Sequence, residues 1–138
     1  MYRLQKAIQR LDGVEKVTVR MTPAAAEVTP RAGAWLEPER LSDAIRQAGF
    51  KPGEIRCTIS GPLVEWHGQP AVSLGSGPRL AVLQALPGAP QAFERAQRLL
   101  AAAEKEAVDV DGVFAGRVVT GDLASPVALR ASRVVAAR

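Results

Sequence analysis

The sequence predicts an α+β chain in two parts: a small α/β half over residues 1–58, then a five-stranded β-barrel with one helix over residues 54–138, the two sharing a connecting strand. Three observations predict it. Between Leu4 and Phe50, two helical stripes of nearly the same wording, each closed by a glycine, bracket a pair of strand patterns. Five further strand patterns follow, with one helical pattern after the third of them. No linker separates the two groups, because Lys51-Pro52-Gly53 runs straight into the strand pattern Glu54 to Ser60.

The first stripe is Leu4, Ala7, Ile8 and Leu11, with Gln5, Lys6, Gln9 and Arg10 on the wet face, so Met1 to Leu11 reads as an amphipathic helix stopped by Asp12-Gly13. Glu15 to Thr22 alternates, with Val17, Val19 and Met21 on one face and Lys16, Thr18 and Arg20 on the other. That is a half-buried strand. Pro23 and the alanines after it make a tight return into Ala25 to Thr29, and Pro30 ends this second strand. The loop Arg31 to Leu36 carries Gly33 and Trp35. A second helix then runs from Glu37 to Ala48, with Pro38 near its start and the stripe Leu41, Ala44, Ile45, Ala48. Gly49 closes it, and Phe50 reads as a core plug.

In the second half Ile55, Cys57 and Ile59 alternate against Arg56, Thr58 and Ser60, and the strand continues through a bend at Gly61-Pro62 into Leu63 to Trp66. His67-Gly68 occupies a two-residue hairpin turn, and Pro70 to Leu74 returns. Gly75-Ser76-Gly77-Pro78 is the next turn, followed by the apolar strand Arg79 to Ala85. Pro87, Gly88 and Pro90 lead into a helix through about Ala107, striped by Phe93, Ala96, Leu100 and Ala103. Val108 to Val119 and Val127 to Val135, separated by a loop at Gly121-Asp122, are the last two strands.

Composition sets the class. A hydrophobic fraction of 47% and a charged fraction of 23% over 138 residues describe a globular chain, with no run near the ~20 apolar residues of a membrane helix. The formal charge is +4, and basic residues are interspersed with acidic ones. Cys57 is the one cysteine, which excludes an internal disulfide and a CxxC site within these residues. The start Met1-Tyr2-Arg3-Leu4 enters the first stripe at once without a secretory-type leader, so the cytoplasm is the expected location.

The wording Met1-Tyr2-Arg3-Leu4-Gln5-Lys6-Ala7-Ile8, running on to Leu11-Asp12-Gly13-Val14, and the helix Arg40 to Phe50 ending Ala48-Gly49-Phe50 resemble the heavy-metal-associated domain. This is the ferredoxin-like βαββαβ module of copper chaperones, metal-pumping ATPases and mercury-binding proteins, and the resemblance covers residues 1–58. It implies a central first strand and a CxxC metal loop ahead of the first helix, the second cysteine falling just before Met1. No ligand is therefore assigned to a residue here; copper(I), zinc or mercury is expected only if a CxxC segment lies upstream. Three explanations stay open: a fragment or a misplaced start, a lost metal function, or a partner that supplies the strand. Without that strand, Ala25 to Thr29 either meets the strand after Phe50 directly, in parallel, or leaves an open sheet edge for a protein partner or a second copy.

The order β-β-β-α-β-β, with Gly61, Gly112 and Gly116 where strands must bend, resembles an OB-like five-stranded barrel. OB-type binding of single-stranded nucleic acid relies on aromatic platforms, and Pro70 to Leu74 and Arg79 to Ala85 hold none, so nucleic acid is not expected as a partner. Neither is a membrane.

Candidate chemistry is sparse. Cys57, on the inward face of its strand, reads as a small buried hydrophobe, and His67 as a turn residue. A joint Cys57/His67 site falls short of the three or four ligands that zinc or copper takes. Asp109 and Asp111 share a strand face, as paired acid/base carboxylates would, but read as a solvated strand end. The serines at 42, 60, 73, 76, 125 and 132 lack a nucleophile-elbow context, and Gly75-Ser76-Gly77 lacks the strand-to-helix transition of a phosphate loop. Trp35 and Trp66 read as core packing. The expectation is a non-enzymatic accessory or binding protein related to heavy-metal handling. The alternative is a structural, interaction or oligomerisation module without metal.

Overall fold

The computed structural model describes residues 2–21, 24–31, 35–74, 79–102, 107–118 and 124–136. The chain is mixed α and β and divides into two compact units, Met1–Gly53 and Glu54–Arg138. The expected features at Pro23, Gly33, Gly75 to Pro78, Ala103, Val119 and Gly121-Asp122 lie outside the described residues.

In the first unit the order is α1 (Tyr2–Gln9), β1 (Val14–Met21), β2 (Ala24–Pro30) and α2 (Pro38–Gln47). Leu4 and Ile8, one turn apart on α1, are buried with Val14 and Val17 of β1 and with Ala48. Leu11, Val19, Val28, Leu36, Leu41 and Ile45 pack around that cluster, so both helices and the sheet share one small core.

Val14 and Val17 are three apart and yet both face inward, which strict strand alternation forbids. The register explains it. Val14 lies opposite Pro30 and Lys16 opposite Thr29, so Glu15 is an extra residue and the bulge resets the parity of β1.

Pro38 occupies the first turn of α2, where its missing N–H costs nothing. At the other end the Gly49 N–H donates to the Arg46 carbonyl at 2.9 Å and the Phe50 N–H to the Ile45 carbonyl at 3.1 Å, with Gly49 left-handed at φ +91°. This double closure satisfies two end carbonyls and turns the chain sharply. It also turns Phe50 outward: the ring is 37% exposed, so the expected core plug is not formed.

The expected closure of β2 against the strand after Phe50 is not made either. Among the described residues β2 is bonded to β1 alone, and the later strand pairs within the second unit.

That unit is a closed barrel of β3 (Arg56–Trp66), β4 (Gln69–Leu74), β5 (Arg79–Ala85), β6 (Ala107–Arg117) and β7 (Val127–Ala136), in the order β3-β4-β5-β7-β6. Helix α3 (Gln91–Ala101) crosses over between β5 and β6, and β5 and β7 run parallel. The strand expected to serve both halves serves the barrel twice. Residues Arg56 to Pro62 pair with β6, and Leu63 to Trp66 pair with β4.

The change of partner falls at Gly61-Pro62, where a Cβ on Gly61 would overlap the Ser73 carbonyl oxygen. Gly112 is equally constrained, since its Cβ would stand 2.6 Å from the Arg130 carbonyl oxygen and 2.8 Å from Leu129 Cγ. Val72, Val82, Leu83, Val108, Val110 and Leu129 are fully buried, and since Val82 and Leu83 are adjacent, β5 is covered on both faces. Ala92 and Ala96 let α3 lie close on β4, β5 and β7.

Helix α3 is shorter than its sequence suggests. Its last described helical residue is Ala101, and Ala107, expected at its end, instead begins β6 opposite Pro62.

Each unit carries one tryptophan, Trp35 or Trp66, which makes them separately observable. Gly112→Ala is expected to destabilise the barrel by about 1–3 kcal/mol through overpacking. Urea unfolding of single-tryptophan variants checks this: the Trp66 transition moves and the Trp35 transition stays.

Candidate functional site

The residues singled out for chemistry in the barrel are engaged structurally. Cys57 lies opposite Gly112 in the β3–β6 ladder, half-buried, and burial raises its thiol pKa above the ordinary value. A raised pKa keeps it a neutral thiol, the opposite of what a nucleophile or metal ligand needs. His67 stands in the β3–β4 turn at φ +48°, followed by Gly68 at +80°. Two successive positive values are the primed turn that suits a twisted hairpin. Its ring meets Trp66 edge-on at 4.3 Å, an aromatic contact at the tip of the hairpin.

Asp109 and Asp111 do share a face, and neighbouring strands occupy both carboxylates. Ser60 Oγ donates to Asp109, and Thr58 Oγ1 donates to Asp111 at 2.8 Å, each from the residue directly opposite on β3. Arg133 Nη1 lies 3.6 Å from the second Asp111 oxygen. This is a polar ladder on the outside of the barrel, and it ties β3, β6 and β7 together.

Two features of the first unit lie apart from these ladders. One is the free side of β2. The Arg31 N–H donates to the Gly13 carbonyl at 2.7 Å across the ladder, and Pro30 has no N–H to give. Counting by twos from there, and allowing for the Glu15 bulge, the N–H and C=O groups of Ala26 and Val28 point away from β1. Exposed β1 positions carry Glu15, Lys16, Thr18 and Arg20. β2 carries one charge, Glu27, and Arg20 already holds it at 3.0 Å. A short, nearly uncharged edge is the kind that accepts another strand.

The other feature is a cleft of about 750 Å³ between α1 and α2. Arg3, Lys6, Arg10 and Arg40 stand around it, and Ala7, Leu11, Ala44 and Ala48 line it with short apolar side chains. The lining carboxylate, Asp43, accepts a hydrogen bond from Arg46 at 3.1 Å. In the sequence Lys6 and Arg10 belong to an ordinary wet face. The available signal was that no acidic residue falls within Tyr2–Gln9.

Among the described residues no group of three His, Cys, Asp or Glu side chains is placed to hold a metal ion, and no helix is long and apolar enough to cross a membrane. Comparison with protein-family models, with curated proteins and with solved structures gives no match.

For Cys57 the folded state favours the protonated form. Its contribution to stability is complete below the ordinary thiol value of 9.0 and is lost as the pH rises through the higher folded value. Alkylation by iodoacetamide at pH 8.5 is expected to be at least about tenfold slower than for a free thiol, becoming equal in urea. Equal rates in both conditions would contradict the buried thiol.

Proposed function

We propose that this protein is a non-enzymatic accessory protein related to heavy-metal handling, whose first unit is a ferredoxin-like module of the heavy-metal-associated type and whose second is an OB-like barrel. The α1-β1-β2-α2 order supports the first assignment, with both helices sharing a core with one sheet and α2 ending at Ala48-Gly49-Phe50. The barrel order supports the second: strands one, two, three, five, four, with strands three and five parallel and the helix between three and four. The unit acts by strand addition, and the observation that carries this is the one-sided hydrogen bonding of β2.

The occupant of that edge is β2 of a second copy. An antiparallel β2–β2 pairing is self-complementary about a two-fold axis and builds a four-stranded sheet from two two-stranded ones. Two strands alone are marginal in water, and four with a covered face are not. The single charge on β2 is already compensated by Arg20, so two copies meet without a bare carboxylate at the seam. In this reading metal exchange needs thiolates other than Cys57, on a CxxC loop ahead of α1 or on a partner. The same edge also serves the metal-free reading, in which assembly is the whole function.

Light scattering of the chain at tens of micromolar is expected to show a dimer. Ala26→Pro removes an outward N–H and leaves the β1 ladder bonds, so the variant stays folded by circular dichroism and becomes monomeric. A monomeric parent protein contradicts strand addition. Copper(I) or zinc titration is expected to show no tight stoichiometric site, and nanomolar binding contradicts the absence of ligands in this chain.

A further inference from the structure

The free edge of β2 also dictates how a second copy lies along it. We infer that the two strands pair with Ala26 opposite Ala26 and Ala24 opposite Val28, and that Glu27 is the residue that sets this register; the inference rests on the β2–β2 pairing proposed above.

Backbone bonding leaves few choices. The outward-pointing groups of β2 belong to Ala24, Ala26, Val28 and Pro30, because Glu27, Thr29 and Arg31 alternate with them toward β1. In an antiparallel seam each outward residue exchanges two bonds with the outward residue facing it. With Ala26 opposite Ala26, every outward N–H and C=O from Ala24 to Val28 finds a partner, and Pro30 falls beyond the paired stretch. Sliding the copies so that Val28 faces Val28 sets Ala26 against Pro30, which has no N–H to return. Sliding them the other way, with Ala24 against Ala26, carries Val28 past the start of the strand.

The remaining register, Ala26 opposite Val28, is decided by charge. It sets Glu27 directly opposite Glu27, at a position without bonds across the seam, where Cα atoms stand only about 4.5 Å apart. Like charges so placed destabilise a sheet. Arg20 holds Glu27 at 3.0 Å, but it reaches from β1, on the side away from the second copy, and does not stand between the two carboxylates. In the inferred register each Glu27 faces Ala25 instead. The same carboxylate therefore permits one alignment and penalises its nearest competitor.

Isotope-filtered NOE spectroscopy on an equimolar mixture of labelled and unlabelled chain, at a concentration where light scattering gives the dimer, reads the register. Contacts between the α-protons of Glu27 and of Ala25 in the second copy are expected, because facing residues that share no bonds bring these protons closest. Glu27→Gln, an isosteric change at an exposed position, is expected to add a second set of contacts, from position 27 to its own twin. Contacts from Glu27 to its twin in the parent protein overturn the inference and leave β2–β2 pairing standing. A Glu27→Gln dimer that keeps the first register alone also overturns it, removing Glu27 as the determinant. A dimer without contacts along β2, or a monomeric chain, overturns strand addition and this inference with it.

Discussion

The hydrogen-bonding inventory of β2 is the constraint on which the first unit depends. Every backbone donor and acceptor must be met by protein or water, and β2 meets β1 on one side. The core beneath it is correspondingly small: Leu4, Ile8, Val14, Val17 and Ala48 are its buried members, gathered from two short helices and one strand. The Glu15 bulge gives that core both Val14 and Val17, and the closure at Gly49-Phe50 secures the C-terminal end of α2. A second strand along β2 would extend the sheet without altering either device.

The barrel solves the same edge problem without a partner. Strand β3 bonds to β6 along its first half and to β4 along its second, and the bend at Gly61 is what allows one strand to close the cylinder. No edge is left to fill. Asp109 and Asp111, which the sequence reads as a solvated strand end, fall on the outside as cross-strand partners of Ser60 and Thr58. Leu83 and Leu129, paired side by side on β5 and β7, are both fully buried.

How much of this was legible depended on range. Local signals worked: the paired stripes, the His67-Gly68 turn, the bend at Gly61 and the helix after the third barrel strand all appear where the sequence puts them. What failed was set by contacts distant in sequence. A bulge at Glu15 leaves the alternation of Val17 and Val19 intact, so only the register with Thr29 and Pro30 reveals it. The inward reading of Phe50 overlooked that the helix-end closure fixes the direction of the following residue. Local propensity extends α3 to about Ala107, but pairing with Pro62, distant in sequence, puts Ala107 in β6. The cleft brings Arg3 and Lys6 of α1 and Arg10 just past its end beside Arg40 of α2, and no local pattern joins them.

Amide hydrogen exchange along β2, followed at low and high protein concentration, tests the central claim most directly. Glu27, bonded inward to β1, is expected to be protected at both concentrations. Ala26 and Val28, whose N–H groups face outward, are expected to exchange freely when dilute and to gain protection as concentration rises. Rapid exchange of Ala26 and Val28 at every concentration would contradict the account, because it would mean that the edge stays open to water and takes no second strand.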